Sequence, residues 1–153
     1  MYRFNGFTEK ANRAINLAME AAQELGHTYI GSEHLLLGLL REGSGTACEL
    51  LSGKGVTADK IADMIAATVG KGSRTSLSPD DFTPRGKHIL ELAMAAARGL
   101  QEGYVGTEHI LLAILEEGQS YAVRFLEELG VDPRDLSSRI IGATLEGVGA
   151  MTG

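Results

Sequence analysis

Slid along itself by 75 residues, this 153-residue chain matches itself: positions 7–69 align with 82–144, and 22 of the 63 pairs are identical. A duplication of this depth constrains the fold more than composition can, because both copies must build the same set of elements. Phe7-Thr8 meets Phe82-Thr83, Leu17-Ala18-Met19 meets Leu92-Ala93-Met94, Tyr29 meets Tyr104, and Gly31-Ser32-Glu33-His34 meets Gly106-Thr107-Glu108-His109. The match continues through Glu42-Gly43 with Glu117-Gly118 and Gly55-Val56 with Gly130-Val131.

Within each copy the apolar residues keep helical spacing. Phe7, Ala11, Ala14, Ile15, Ala18, Met19, Ala22 and Leu25 form one stripe of period near 3.6, repeated by Phe82, Ile89, Leu90, Ala93, Met94, Ala97 and Leu100. Thr8 and Thr83 stand where a hydroxyl caps free backbone N–H groups, and Pro84 takes the favoured first helical position. Ser32 and Thr107 open a second helix, about 32–41 and 107–116, whose Leu35-Leu36-Leu37 or Ile110-Leu111-Leu112 run predicts burial on most sides. Gly43 and Gly118 stop it. A short third helix is expected over about 45–53 and 120–129. A fourth follows over about 57–69 and 132–146, entered by Thr57 and Asp132-Pro133.

The fold class is therefore all-α: two tandem four-helix repeats, related by pseudo-two-fold symmetry and packed as one domain over 1–153. Aromatics at 5%, no Trp, and an apolar volume supplied by Ala, Leu, Ile and Met agree with packed helices over sheets. Repeat one spans about 5–69 and repeat two about 82–146. The aperiodic Gly, Ser and Pro stretch 70–81 reads as a linker, and 147–153 as a flexible tail.

A net charge of -6 supplies no field to gather phosphate backbones, so nucleic acid is not an expected partner. No apolar run reaches the 18 or so residues of a spanning helix, and Met1-Tyr2-Arg3-Phe4-Asn5-Gly6 lacks the apolar core of a signal peptide; no membrane and a cytoplasmic location are the expectations. The lone Cys48 admits no internal disulfide and reads as a small buried hydrophobe.

Catalytic signatures are missing. Gly53-Lys54-Gly55 and Gly70-Lys71-Gly72 lack the earlier Gly and the hydroxyl of a phosphate-binding loop, and neither Glu33-His34 nor Glu108-His109 has a second His four residues on. Adjacent helical residues point about 100° apart, so neither pair is a ready acid–base dyad. The expectation is a binding domain, not an enzyme, with no cofactor and no metal.

The elements Phe7-Thr8-Glu9-Lys10-Ala11 and Gly31-Ser32-Glu33-His34-Leu35-Leu36-Leu37-Gly38-Leu39-Leu40-Arg41-Glu42-Gly43, with their copies at Phe82-Thr83-Pro84-Arg85 and Gly106-Thr107-Glu108-His109-Ile110-Leu111-Leu112, resemble the Clp N-terminal domain over about 5–146. The closest branch is the ClpC type. The resemblance implies a domain that precedes two AAA+ ATPase modules, receives adaptors such as MecA, passes substrates toward the unfolding pore and ClpP, and is a monomer when separated from the ring. It also implies phosphoarginine binding, with one pocket per repeat.

Such a ligand carries both signs. Its guanidinium calls for a carboxylate, which Glu33 and Glu108 offer, and its phosphoryl group calls for oriented N–H donors at the helix starts Thr8-Glu9 and Thr83-Pro84-Arg85. The candidate site residues are thus Thr8, Glu9, Glu33, Thr83, Arg85 and Glu108. A structural alternative stands beside each: first-turn carboxylates are favoured by the helix dipole, Thr8 and Thr83 are caps in any case, and His34 and His109 read as packed or capping side chains. The second copy departs from the family pattern, with Gln101-Glu102 in place of Gly26-His27 and Glu116-Glu117-Gly118-Gln119-Ser120 in place of Arg41-Glu42-Gly43-Ser44-Gly45. Its added carboxylates disfavour a phosphorylated ligand wherever they lie near it. The competing functions are an adaptor-docking module with vestigial pockets and a stand-alone protein of this kind.

Overall fold

A computed structural model describes the backbone of residues 1–152 and side chains through 145. The helices are α1 (Glu9–Glu24), α2 (Ser32–Glu42), α3 (Thr46–Gly53), α4 (Ala58–Val69), α5 (Pro84–Gly99), α6 (Thr107–Glu117), α7 (Tyr121–Glu128) and α8 (Pro133–Thr152), with a 3-10 turn at Pro79–Asp81. Among the described residues no strand forms, so the fold is all-α. α8 continues to Thr152, past the stop near 146 and through the stretch expected to be a flexible tail; Gly153 lies outside the described residues.

The starts and stops follow the local chemistry. The Thr8, Thr57 and Thr83 hydroxyls accept from the N–H groups of Ala11, Lys60 and Gly86 at 3.1, 3.2 and 2.9 Å. Gly43 and Gly118 end α2 and α6 at φ 83° and 75°, a left-handed conformation that a Cβ resists. α2 and α6 are buried almost throughout, as their Leu and Ile runs predict, and each packs on helices of both repeats. The two copies therefore share one core; each fully buried Leu or Ile contributes about 1.5–3 kcal/mol to it.

The pseudo-two-fold is visible in hydrogen bonds that cross between repeats in matched pairs. Thr8 N–H donates to Val105 O at 2.9 Å, and its counterpart Thr83 N–H donates to Ile30 O at 3.0 Å. Val105 N–H donates to Gly6 O, as Ile30 N–H does to Asp81 O. Deeper in, Ala47 N–H reaches Thr107 Oγ1 at 3.4 Å, and Ala122 N–H reaches Ser32 Oγ at 3.2 Å. The start of each repeat is thereby stitched to the second helix of the other.

Two features break the symmetry. Gly38 lets α2 lie so close to α1 that a Cβ there would stand 2.2 Å from Ala14 O and 2.8 Å from Ala18 N, whereas the matching position in repeat two is a buried Ala113. The segment 70–78, within the stretch 70–81 read as a linker, is laid against the end of α1. Gly72 N–H donates to Leu25 O, Thr75 N–H to Gln23 O, and the Thr75 hydroxyl to His27 O at 2.6 Å. Gly26 makes room for it: at φ 77° its missing Cβ would meet the Gly72 carbonyl carbon at 2.4 Å. The matching Gln101, at φ 58°, follows α5, and repeat two continues as helix α8 where repeat one turns back.

Candidate binding site

Three helix starts converge on a cleft of about 420 Å³ lined by Thr8, Glu9 and Lys10 of α1, Ser44, Gly45, Thr46 and Glu49 of α3, and Gly106, Thr107 and Glu108 of α6. Each start presents first-turn N–H groups that its own helix cannot satisfy, so the cleft gathers donor dipoles beside three carboxylates, Glu9, Glu49 and Glu108. The pocket is composite: repeat one supplies Thr8 and Glu9, and repeat two supplies Glu108.

The cleft wall is fixed by Glu42. Its carboxylate accepts from Gly45 N–H at 2.6 Å and Ser44 N–H at 3.2 Å and pairs with the Ser44 hydroxyl. Burial works against its charge, yet the bonds from Ser44 and Gly45 and the field of Lys10 hold its pKa below the usual carboxylate range. Lys10 Nζ donates to Ser44 O at 3.4 Å across the mouth. Gly45 is required by close approach, since a Cβ would stand 2.5 Å from Thr107 Oγ1.

Of the six residues singled out by the sequence, Thr8, Glu9 and Glu108 meet in this cleft. Thr8 is a cap, and Glu9 is exposed and ion-paired with Arg3, which lowers its pKa. Thr83 caps α5, and its backbone runs beside Ile30, three residues ahead of Glu33. Arg85 donates to Gln119 O at 3.1 Å and lies 3.4 Å from the Glu117 carboxylate, so its charge is already paired. Glu33 is 2% exposed, and the Tyr29 hydroxyl donates to it at 3.2 Å. Burial pushes the Glu33 pKa up, opposed by its own backbone N–H, by Tyr29 and by His27. The sequence reading missed the α3 start, residues 44–46 and Glu49; the signal was the two glycines flanking Ser44, a turn bent enough to bring a further helix start to the site.

The histidines cap. Gly31 N–H donates to His34 Nδ1 at 2.9 Å, and Gly106 N–H to His109 Nδ1 at 2.8 Å. His34 Nε2 lies 2.7 Å from His27 Nδ1, and His27 Nε2 lies 2.8 Å from Gly70 O. Both ring nitrogens of His34 are thus committed away from Glu33, and no dyad forms. Burial first, then the neighbouring His27, lowers the His34 pKa to about 3. Cys48 is buried, with its Sγ 3.5 Å from Leu40 O. No helix among the described residues is long and apolar enough to cross a membrane.

The sequence matches the family described as Clp repeat (R) N-terminal domain over residues 6–129 and 81–149. It is 42% identical over 98% of its length to the chloroplastic chaperone protein ClpC2 of Oryza sativa subsp. japonica, of which it covers 17%. It is 46% identical, again over 98% of its length, to an ATP-dependent Clp protease ATP-binding subunit ClpA homolog of Cyanidium caldarium, of which it covers 18%. The chain thus spans less than a fifth of the curated relatives it matches. The N-terminal domain of ClpD from Arabidopsis thaliana superposes with a TM-score of 0.78 at 30% identity, covering 92% of this chain and 99% of that one. The ClpV N-domain solved with a VipB peptide shares the fold at a TM-score of 0.65 and 21% identity, covering 90% of this chain and 88% of its own. With a doubled element set, matched cross-repeat bonds and these likenesses in agreement, the chain belongs to the Clp repeat N-terminal domain family.

Proposed function

We propose that this domain is the substrate- and adaptor-recognition module of a ClpC-type unfoldase and that it takes proteins marked with phosphoarginine. The composite cleft carries the reading: a partly exposed carboxylate, Glu108, faces two helix starts that supply N–H donors and the positive ends of their dipoles. Glu108 takes the guanidinium group, and the α1 and α3 starts with Lys10 take the phosphoryl group. Peptide recognition by a same-fold N-domain, ClpV with VipB, supports the protein-binding half of the proposal. AAA+ modules of the same protein and a MecA-like adaptor are the partners it implies, in a cytoplasmic setting or, as for the relatives described as chloroplastic, within a chloroplast.

The test is a calorimetric titration of the chain with free phosphoarginine, with arginine and phosphoserine as controls. Saturable binding of phosphoarginine alone, weakened in Glu108→Ala, supports the reading. Absence of binding, with an adaptor still bound, assigns the chain to adaptor docking and leaves the cleft vestigial.

A further inference from the structure

The chain holds the same Tyr-x-Gly-x-Glu-His turn in two arrangements. In repeat one the Tyr29 hydroxyl donates to Glu33, and the Tyr29 ring lies flat on His27, with centroids 5.6 Å apart and planes 2° from parallel. His27 is fixed in turn. Gly31 N–H occupies His34 Nδ1, so the His34 proton sits on Nε2 and is donated to His27 Nδ1; the His27 proton then sits on Nε2 and goes to Gly70 O in the segment that closes repeat one. A hydrogen-bonded chain thus runs from that segment to the platform beneath Tyr29.

In repeat two the platform is gone. Glu102 stands where His27 does, the buried His109 Nε2 has no partner among the described residues, and Tyr104 is 66% exposed. Glu108, with a side chain 24% exposed, faces the cleft, while Glu33 is closed off.

We infer that Tyr29 is a latch, seated on the His27–His34 pair, that occupies the Glu33 carboxylate and withholds it from ligand, so that the two pseudo-equivalent sites are unequal and the Glu108 site fills first. The inference rests on the reading that these carboxylates take a guanidinium group. Tyr29 is then a specificity-determining residue of the Glu33 site: a ligand reaches that carboxylate only by displacing a hydrogen bond to a charged acceptor.

The experiment isolates that site. In a Glu108→Ala background, titration with phosphoarginine is expected to show weak binding, and adding Tyr29→Phe, which keeps the ring on its platform and removes the hydroxyl, raises the affinity about tenfold. Equal affinities at the two sites of the unmodified chain, or no gain with Tyr29→Phe, overturn the latch. If no variant binds phosphoarginine, the ligand reading fails and the latch is decided by the ring Cζ resonances of the two tyrosines. A shift of Tyr29 on Glu33→Gln, with no shift of Tyr104 on Glu108→Gln, supports it; matching responses overturn it.

Discussion

Residues 29–34 and 104–109 spell nearly the same turn, begin equivalent helices and cap them with equivalent histidines, yet one carboxylate is sealed and the other faces a cleft. Nothing inside the turns accounts for this. The difference lies behind them: in repeat one the segment 70–78 folds back over Gly26 and anchors His27, while in repeat two the chain continues as α8 and, among the described residues, no hydrogen bond anchors the Glu102 side chain. Whether a duplicated site stays open is decided by what is laid against its back, and each half of that comparison can be broken separately.

The largest effect is expected at the closest packing. Gly38→Ala drives a Cβ into the backbone of α1, which cannot move as a flexible side chain would, and should cost about 3 kcal/mol, at the upper end for overpacking. The mirror change, Ala113→Gly, opens no clash and should cost only about 1 kcal/mol, the propensity difference in a helix interior. Urea unfolding of both variants measures the pair; equal losses would mean that α1–α2 and α5–α6 are packed alike.

Next comes the histidine chain. His34→Ala leaves Gly31 N–H and His27 Nδ1 without partners in a buried place and should cost about 2 kcal/mol, while His109→Ala loses one bond, to Gly106 N–H, and should cost about 1 kcal/mol. Near-identical losses would show that the link to His27 adds nothing.

The same chain predicts acid sensitivity. Folded His34 stays neutral down to about 3 because burial and then His27 oppose its charge, whereas in the unfolded chain it takes a proton below about 6.5. Through that window the unfolded state binds the extra proton, so stability falls as pH falls, by at most about 1.4 kcal/mol per unit, and levels off below the folded pKa. His27 and Tyr29 face the ring edge-on. Unfolding free energies across pH 4–7 should slope less in His34→Ala than in the parent; an unchanged slope removes His34 as the source.

Much of this was legible beforehand. The Thr caps, the glycine stops and the buried Leu runs declare all eight helices, because each signal is local to its element. Glu33 and Glu108 were also singled out on their matching turns, with the second pocket read as the weaker of the two. What the sequence could not show depends on contacts far apart in the chain: that Thr8 and Glu9 face Glu108 across the repeats, that the start of α3 completes the cleft, and that the segment 70–78 packs against the end of α1. The loss of Gly26-His27 in the second copy was visible and read as weakening the second signature. In the structure Glu102 holds that position, Tyr104 is exposed, and Glu108 lines the cleft.

The smallest effect is expected from rebuilding the platform where it is absent. Glu102→His offers His109 Nε2–H an acceptor and Tyr104 a ring to lie on, and so should move repeat two toward the arrangement of repeat one. The gain is limited because His27 has a second anchor, Gly70 O, whose counterpart at Leu145 lies within helix α8. One added bond without that anchor should raise stability by about 0.5–1 kcal/mol and weaken phosphoarginine binding at Glu108 severalfold, since Tyr104 then competes for the carboxylate. Thermal unfolding and the calorimetric titration report the two quantities independently. Added stability with unchanged affinity would mean that the histidine platform and the tyrosine latch are separate devices, and that the exposure of Tyr104 has a cause other than Glu102.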